Sequence, residues 1–201
     1  MFTGIVQGTA FVKSIAPKDL FSRIAIEFPK TALNNVAQGA SIAINGTCLT
    51  VSEFTDNTVY FDVMMETLRV TNLCQLKVNG VVNFERAAKF GDEIGGHLLS
   101  GHIHTTVEVS SVEKTENNCI ITFKVPTKWT KYILPKGFVA VNGCSLTVGE
   151  VANNTFNVYL IPETLNITTF GAASPGDIIN LEVDHQTQTI VDTIERLGLK
   201  I

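Results

Sequence analysis

Two short stretches carry side chains able to handle protons beside turn backbone: Cys48 with Thr50, and Ser145 with Thr147. Each pair follows an Asn-Gly dipeptide, Asn45-Gly46 and Asn142-Gly143, which is a strong short-range signal for a two-residue hairpin turn. Successive strand side chains alternate between faces, so Cys48 and Thr50 share one face while Leu49 and Val51 take the other. Ser145 and Thr147 repeat that arrangement around Leu146. A thiol or hydroxyl beside a threonine hydroxyl, next to free backbone N–H and C=O groups, can read the donor and acceptor edge of a flat heterocycle. The same residues also fit a Thr-bearing hairpin with no ligand, and Cys48 also fits a small buried hydrophobe.

These pairs are copies. Laid over itself with a shift of 97 positions, the chain places Gly46-Thr47-Cys48-Leu49-Thr50-Val51 on Gly143-Cys144-Ser145-Leu146-Thr147-Val148. The same shift pairs Gly4 with Gly101, Pro29 with Pro126, Glu66-Thr67-Leu68 with Glu163-Thr164-Leu165, and Asn83 and Glu85 with Asn180 and Glu182. Solenoid units run to roughly 50 residues at most, so each copy is a domain with its own core. The mismatches matter for chemistry. His102, the side chain best suited to proton transfer near neutrality, falls on Ile5, and Ser145 falls on Cys48. His97, His102 and His104 match no common metal-ligand spacing, so no metal is expected. The run around Ser145 is not a Gly-x-Ser-x-Gly elbow, and the chain contains neither a Walker loop nor a Gly-x-Gly-x-x-Gly fingerprint.

Alternating segments rich in Val, Ile, Phe and Thr must position these residues. They run over 8–15, 23–28, 40–44, 48–54, 59–63 and 81–85, and again over 105–112, 120–125, 138–141, 145–151, 155–160 and 178–183. About six strands per copy predict a small closed barrel, because closure removes exposed edges. The fold class expected is mainly β: two tandem six-stranded Greek-key barrels, residues 1–96 and 97–185, followed by a C-terminal amphipathic helix over 186–201. Ile190, Val191, Ile194 and Leu197 form its apolar stripe, a candidate oligomer contact. Helices are also expected over 29–36 and 126–134, both opening with Pro, and a short helical turn at Glu66 and at Glu163.

Composition narrows the partners. With 45% hydrophobic and 17% charged residues the chain is no disordered segment, and a net charge of −4 gives no electrostatic pull toward nucleic acid or an anionic membrane. The N-terminus lacks a basic start followed by an apolar run, so a cytoplasmic location is expected, and four scattered cysteines suit reduced thiols.

Taken together, Met1-Phe2-Thr3-Gly4-Ile5-Val6, the paired Asn-Gly loops, Asp62-Val63-Met64-Met65-Glu66-Thr67-Leu68, Glu85-Arg86-Ala87, Gly95-Gly96-His97 with Ser100-Gly101-His102, and Ile161-Pro162-Glu163-Thr164-Leu165 closely resemble the trimeric, alpha-chain type of riboflavin synthase. That resemblance implies a cofactor-free and metal-free dismutation of two molecules of 6,7-dimethyl-8-ribityllumazine by four-carbon transfer. The products are riboflavin and 5-amino-6-ribitylamino-2,4(1H,3H)-pyrimidinedione. It also implies a homotrimer whose site forms between the N-terminal barrel of one subunit and the C-terminal barrel of its neighbour, and leaves room for association with lumazine synthase. By the same match, substrate binding is expected at Gly4, Ile5 and Val6; Cys48, Leu49 and Thr50; Asp62, Val63, Met64, Met65, Glu66 and Thr67; and Gly101, His102 and Ile103. In the second copy it is expected at Lys136, at Ser145, Leu146 and Thr147, and at Tyr159, Leu160, Ile161, Pro162, Glu163 and Thr164. The roles implied are proton transfer for His102 with Thr147, nucleophile or water delivery for Cys48 and Ser145, orientation of Ser145 by Asp184, and cover of a ring by Phe2. The runner-up is a non-catalytic lumazine-binding or flavin-binding antenna protein of the same duplicated architecture.

Overall fold

The computed structural model describes residues 1–115 and 118–198. Strands β1 (Gly8–Pro17), β2 (Phe21–Glu27), β3 (Ser41–Ile44), β4 (Thr47–Thr55), β5 (Thr58–Met64) and β6 (Val81–Arg86) close into an antiparallel barrel in the order β1-β2-β5-β4-β3-β6. Strands β7 (Thr105–Lys114), β8 (Cys119–Lys124), β9 (Phe138–Val141), β10 (Cys144–Ala152), β11 (Thr155–Leu160) and β12 (Ile178–Val183) close a second barrel in the corresponding order. The chain passes from β2 over the barrel end to β3 and returns through β4 to pair β5 with β2, the Greek-key connection. Inward side chains such as Ile24, Ile26, Phe61 and Val63 fill one interior, and Ile121, Phe123, Phe156 and Val158 the other.

Both hairpins form as the Asn-Gly signal predicts. Asn45 and Gly46 have φ of 45° and 79°, Asn142 and Gly143 have φ of 44° and 79°, and the flanking pairs Ile44–Thr47 and Val141–Cys144 are in register. Positive φ at both central residues is what a type I′ turn demands. The two turns abut: a Cβ on Gly46 would lie 2.6 Å from the Gly143 nitrogen. Only glycine permits that approach.

Helical segments are shorter than the sequence suggests. Pro29 caps a single 3-10 turn, Lys30–Leu33, and Pro126 caps α2 (Thr127–Thr130) after α1 (Met65–Val70) in the first barrel. Asn35 enters the left-handed region with φ of 59°, which ends the first segment, and the apolar residues beyond each turn serve instead as barrel plugs. Val36 packs into the first core, Tyr132 and Ile133 into the second. The turns expected at Glu66 and Glu163 form as α1 and α3 (Pro162–Ile167). The C-terminal helix, α4 (His185–Arg196), is held on the second barrel by Val191, by Tyr132 Oη donating to Asp192 at 2.5 Å and by a Lys131–Glu195 ion pair. Ile190 and Leu197 of the expected stripe stay exposed, and the end of that segment, residues 199–201, lies outside the described residues.

The barrels are joined by buried amides related by the repeat. Asn83 Nδ2 donates to the Asn142 carbonyl at 3.0 Å while its Oδ1 accepts the Thr169 N–H at 2.8 Å. Asn180 mirrors it, donating to the Asn45 carbonyl at 2.9 Å and accepting the Asn72 N–H at 2.6 Å. Each asparagine therefore sits in one barrel wall and satisfies a turn and a 3-10 helix of the other. Replacing Asn180 with Ala strips the Asn45 carbonyl and the Asn72 N–H of partners together. Burying such orphans should destabilise the fold by about 3 kcal/mol, read as a lower urea midpoint; an unchanged midpoint would show that these amides carry no weight.

Candidate functional site

Each barrel has a mouth built from segments of both repeats. Residues 1–7 do not simply lead into β1. Phe2 pairs with Leu99 across the molecule, with Phe2 N–H to Leu99 O at 2.9 Å and the reverse bond at 3.0 Å. Just beyond that pair, the Ser145 N–H donates to the Gly4 carbonyl at 2.8 Å, and the Cys48 N–H donates to the Gly101 carbonyl at 2.9 Å. The leader of the first repeat thus lies against the hairpin of the second, and the reverse. Gly4 and Gly101 both have positive φ, and a Cβ on either would run into the Cβ of Ser145 or Cys48.

Two carboxylates anchor the leaders. Glu85 accepts from the Thr3 N–H at 2.6 Å, Thr3 Oγ1 at 2.8 Å and the Gly4 N–H at 3.0 Å. Glu182 does the same for the Ser100 N–H, Ser100 Oγ and the Gly101 N–H at 2.8, 2.7 and 3.1 Å. Burial pushes the Glu85 carboxyl up from its ordinary range, against the pull of its bonds to Thr3 and Gly4. These two residues are repeated in the sequence as Asn-x-Glu at 83–85 and 180–182, a signal of structural importance rather than of contact with a ligand.

Alternation sorts the expected substrate-binding residues. Val6, Leu49, Val63 and Leu160 face the barrel interiors, where only their backbone is available, and Leu146 packs against the second core. Thr50, Asp62, Met64 and Met65 stand exposed on the first barrel with Glu66, while Cys48 and Thr67 are half-buried. Asp62 is engaged by Arg23 at 3.1 Å. On the second barrel Thr147, Tyr159, Ile161, Pro162 and Glu163 are exposed, with Ser145 and Thr164 half-buried. Ile5 and His102 are exposed beside their glycines, and Ile103 is half-buried. Lys136 is exposed and holds a left-handed φ of 68°, whereas its repeat counterpart is Gly39 with φ of 85°. A non-glycine residue there costs roughly 1 kcal/mol, so the ammonium is retained against a local preference for glycine.

Two expected roles change. Phe2 is 1% exposed and sits with Ala43, Leu99 and Ala140 between the barrels, so it anchors the leader instead of covering a ring. An aromatic side chain at a paired bridge has more apolar surface to bury between two barrels than over an open mouth. Asp184 does not reach Ser145; it caps α4, accepting from the Thr187 N–H and Oγ1, both at 2.7 Å. Free N–H groups of a helix start claim a carboxylate at that position. The partner of Ser145 is His97, with Nδ1 2.6 Å from Oγ. In the single chain no hydrogen bond joins His102 to Thr147 among the described residues.

A cavity of about 800 Å³ opens beside the second barrel, lined by His97, His102, His104, Phe138, Asp184 and His185 among others. Its repeat counterpart, about 620 Å³, is lined by Thr3, Ile5, Gln7, Glu85 and Ala88. Imidazoles at 102, 104 and 185 thus replace Ile5, Gln7 and Ala88. Among the described residues, no group of three or more His, Cys, Asp or Glu side chains is arranged to hold a metal ion. All four cysteines are free thiols. Burial pushes the Cys144 thiol up to about 12, which removes it as a nucleophile and leaves Cys48 and Ser145 as the groups at the mouths. No helix among the described residues is long and apolar enough to cross a membrane.

Comparison with known proteins bears on this architecture directly. The family model described as the lumazine binding domain matches twice, at residues 3–87 and 100–184. Over 198 residues, 98% of the chain, the sequence is 56% identical to riboflavin synthase of Escherichia coli (strain K12), covering 93% of that protein. It is 46% identical to riboflavin synthase of Buchnera aphidicola subsp. Schizaphis graminum (strain Sg), again over 98% of the chain and 95% of that protein. Among solved structures, LumP complexed with riboflavin superposes with a TM-score of 0.87 at 29% identity, covering 92% of this chain and all of that one. LumP complexed with 6,7-dimethyl-8-(1'-D-ribityl) lumazine superposes with a TM-score of 0.84 at 28% identity and 92% coverage of this chain.

The cavity histidines give the fold a pH dependence. Burial holds His104 below its usual value of 6.5, with Gln188 and Glu182 opposing; its Nδ1 accepts the Val183 N–H at 3.2 Å and its Nε2 meets Gln188 Oε1 at 3.0 Å. The unfolded ring takes up a proton below that usual value while the folded ring resists, so stability falls as pH drops through 6.5 toward the lower folded value. The urea midpoint should fall between about pH 7.5 and about pH 5.5, and His104→Gln should reduce that fall. An equal fall in the variant would assign the effect to other groups.

Proposed function

The chain belongs to the riboflavin synthase family, and we propose that its barrels each hold one molecule of 6,7-dimethyl-8-ribityllumazine, with four-carbon transfer giving riboflavin and 5-amino-6-ribitylamino-2,4(1H,3H)-pyrimidinedione. The observation that carries this reading is the pair of matching mouths: each joins a leader of one repeat to the polar hairpin of the other, and the two differ in the residues that can move protons. A reaction between two identical heterocycles needs two similar binding surfaces and two unequal sets of groups to make one ring donor and the other acceptor.

Cys48 and Thr50 with His102 and Ile103 form the first surface, Ser145 and Thr147 with Ile5 and Lys136 the second. Orientation supplies much of the acceleration, because a carbanion formed at the acidic methyl of one ring must meet the second ring already in place. His102 and Thr147 move the methyl proton, while Cys48 and Ser145 deliver a nucleophile or water. His102 and Thr147 are unpaired with each other within one chain, and Met64, Met65, Tyr159 and Ile161 leave apolar side chains exposed around the mouths. Both features support a site completed by a neighbouring subunit, the first barrel of one chain facing the second barrel of another in a homotrimer, with exposed Ile190 and Leu197 of α4 available to that assembly. Association with lumazine synthase, which would supply the substrate, fits the same reading, as does a place in the cytoplasm. The boundaries 1–96, 97–185 and 186–201 separate two binding barrels from a C-terminal segment whose helix α4 is available for docking.

Mixing the chain with 6,7-dimethyl-8-ribityllumazine should produce riboflavin absorbance without added cofactor; binding without turnover would identify an antenna protein instead. Cys48→Ala and His102→Gln should each lower kcat by about 10-fold or more while Kd changes little, as loss of proton-handling groups does. Wild-type turnover in both would overturn the assigned roles. Lys136→Gly should raise stability by about 1 kcal/mol through relief of the left-handed backbone and yet raise KM. A stabilised variant with unchanged KM would leave the lysine without a part in binding.

A further inference from the structure

Ser145 and Cys48 occupy equivalent places on matching backbone, and one difference between them is a ring. Gly4 closes on Ser145 as Gly101 closes on Cys48. Ser145 has His97 within hydrogen-bond reach, and among the described residues no imidazole bonds to Cys48. The His97 ring lies nearly parallel to Phe138, 5.2 Å between centroids and 20° between planes, and is 8% exposed. Its Nδ1 is 2.6 Å from Ser145 Oγ, and its Nε2 is buried without a partner among the described residues. Gly96 makes this approach feasible, since a Cβ there would collide with the Cβ and Oγ of Ser145. An imidazole stacked in place, with one nitrogen on a hydroxyl and the other unpartnered, is costly unless the ring serves the hydroxyl.

We propose that His97 is the proton relay through which Ser145 acts. The water or carbon acid lying against Ser145 gives a proton to Oγ as Oγ passes its own proton to Nδ1, and the imidazolium returns that proton by the same route when a later intermediate needs it. The inference rests on the reading of Ser145 as a substrate-facing group. Within it, His97 is a positioning and proton-accepting residue that touches Ser145 and not the substrate. Burial holds the ring below its usual 6.5 while Asp184 opposes, which favours the neutral ring that a proton acceptor must be, and the relay takes the tautomer with its proton on Nε2. The other titratable groups around the same cavity are His102, His104, Glu182 and His185. Among the described residues no imidazole bonds to Cys48, so this relay belongs to the Ser145 hairpin alone.

The test is a cycle of His97→Asn, Ser145→Ala and the double variant in the full chain, with 6,7-dimethyl-8-ribityllumazine as substrate. Asn keeps a hydrogen-bonding group near the Nδ1 position but accepts no proton. His97→Asn should lower kcat by about 100-fold, leave substrate Kd within about twofold and abolish the acidic limb of the kcat–pH profile, and the double variant should be no slower than Ser145→Ala alone. Wild-type kcat and pH profile in His97→Asn overturn the relay, as do fully multiplicative losses in the double variant. In the unsubstituted protein, 15N shifts should show Nδ1 as the unprotonated nitrogen and should move in Ser145→Ala; a protonated Nδ1 at neutral pH overturns the relay independently of any His97 variant. A wild-type chain that makes no riboflavin overturns the relay together with the function it rests on, whereas a fully active His97→Asn overturns the relay alone.

Discussion

Two buried carboxylates hold the molecule's chemistry in place. Glu85 and Glu182 each bind two successive N–H groups and a hydroxyl of a leader segment, and those bonds fix the glycines that accept from Ser145 and Cys48. They act with the Phe2–Leu99 bridge to hold the leaders across the opposite hairpins. Desolvation of such a carboxylate is unfavourable, and three hydrogen bonds apiece offset it by satisfying the oxygens that face the protein. The asparagines two residues earlier, Asn83 and Asn180, do the complementary work between the barrel walls. One β-strand position thus ties the leader, and the neighbouring position on the same face ties the other barrel.

Because this frame is repeated, differences between the mouths are chemical and not architectural. The backbone around Cys48 and Ser145 is the same, with the same turn, the same glycine pressed against the Cβ and the same carboxylate behind it. What differs is the set of groups laid on it: a thiol against a hydroxyl, Ile5 against His102, Gly39 against Lys136, and an imidazole, His97, bonded to Ser145. A duplicated binding surface gives each of two like molecules a place, and in the proposed reading the substitutions give the two places different tasks.

The repeat made the fold legible. Twelve alternating segments, Asn-Gly turns and outward Cys48/Thr50 and Ser145/Thr147 pairs follow from period-2 patterning, which reports which face is buried. Three features lay beyond such patterning because they depend on long-range pairing. Nothing local shows that Phe2 meets Leu99, so the ring-covering role the resemblance implies for Phe2 gives way to a buried anchor. Asp184 reads as a partner for Ser145, yet the helix that begins beside it takes its carboxylate, and His97 arrives from a glycine-rich connection with no periodicity to place it. The Pro-led helices form but stop short for a related reason: the apolar residues beyond them close barrel ends, a demand set by the sheet and not by helical spacing.

The central claim is that one reacting centre is assembled from unequal mouths on neighbouring chains, and subunit complementation tests it most directly. Two variants would be co-expressed with different tags: one carrying Cys48→Ala with His102→Gln, the other Ser145→Ala with Thr147→Ala. Each alone should turn over 6,7-dimethyl-8-ribityllumazine slowly. Particles purified through both tags should recover a substantial share of wild-type kcat, because an intact first mouth on one chain then meets an intact second mouth on its neighbour. Doubly tagged particles that bind substrate but remain as slow as their parents would contradict the account and place the whole reacting centre within a single chain.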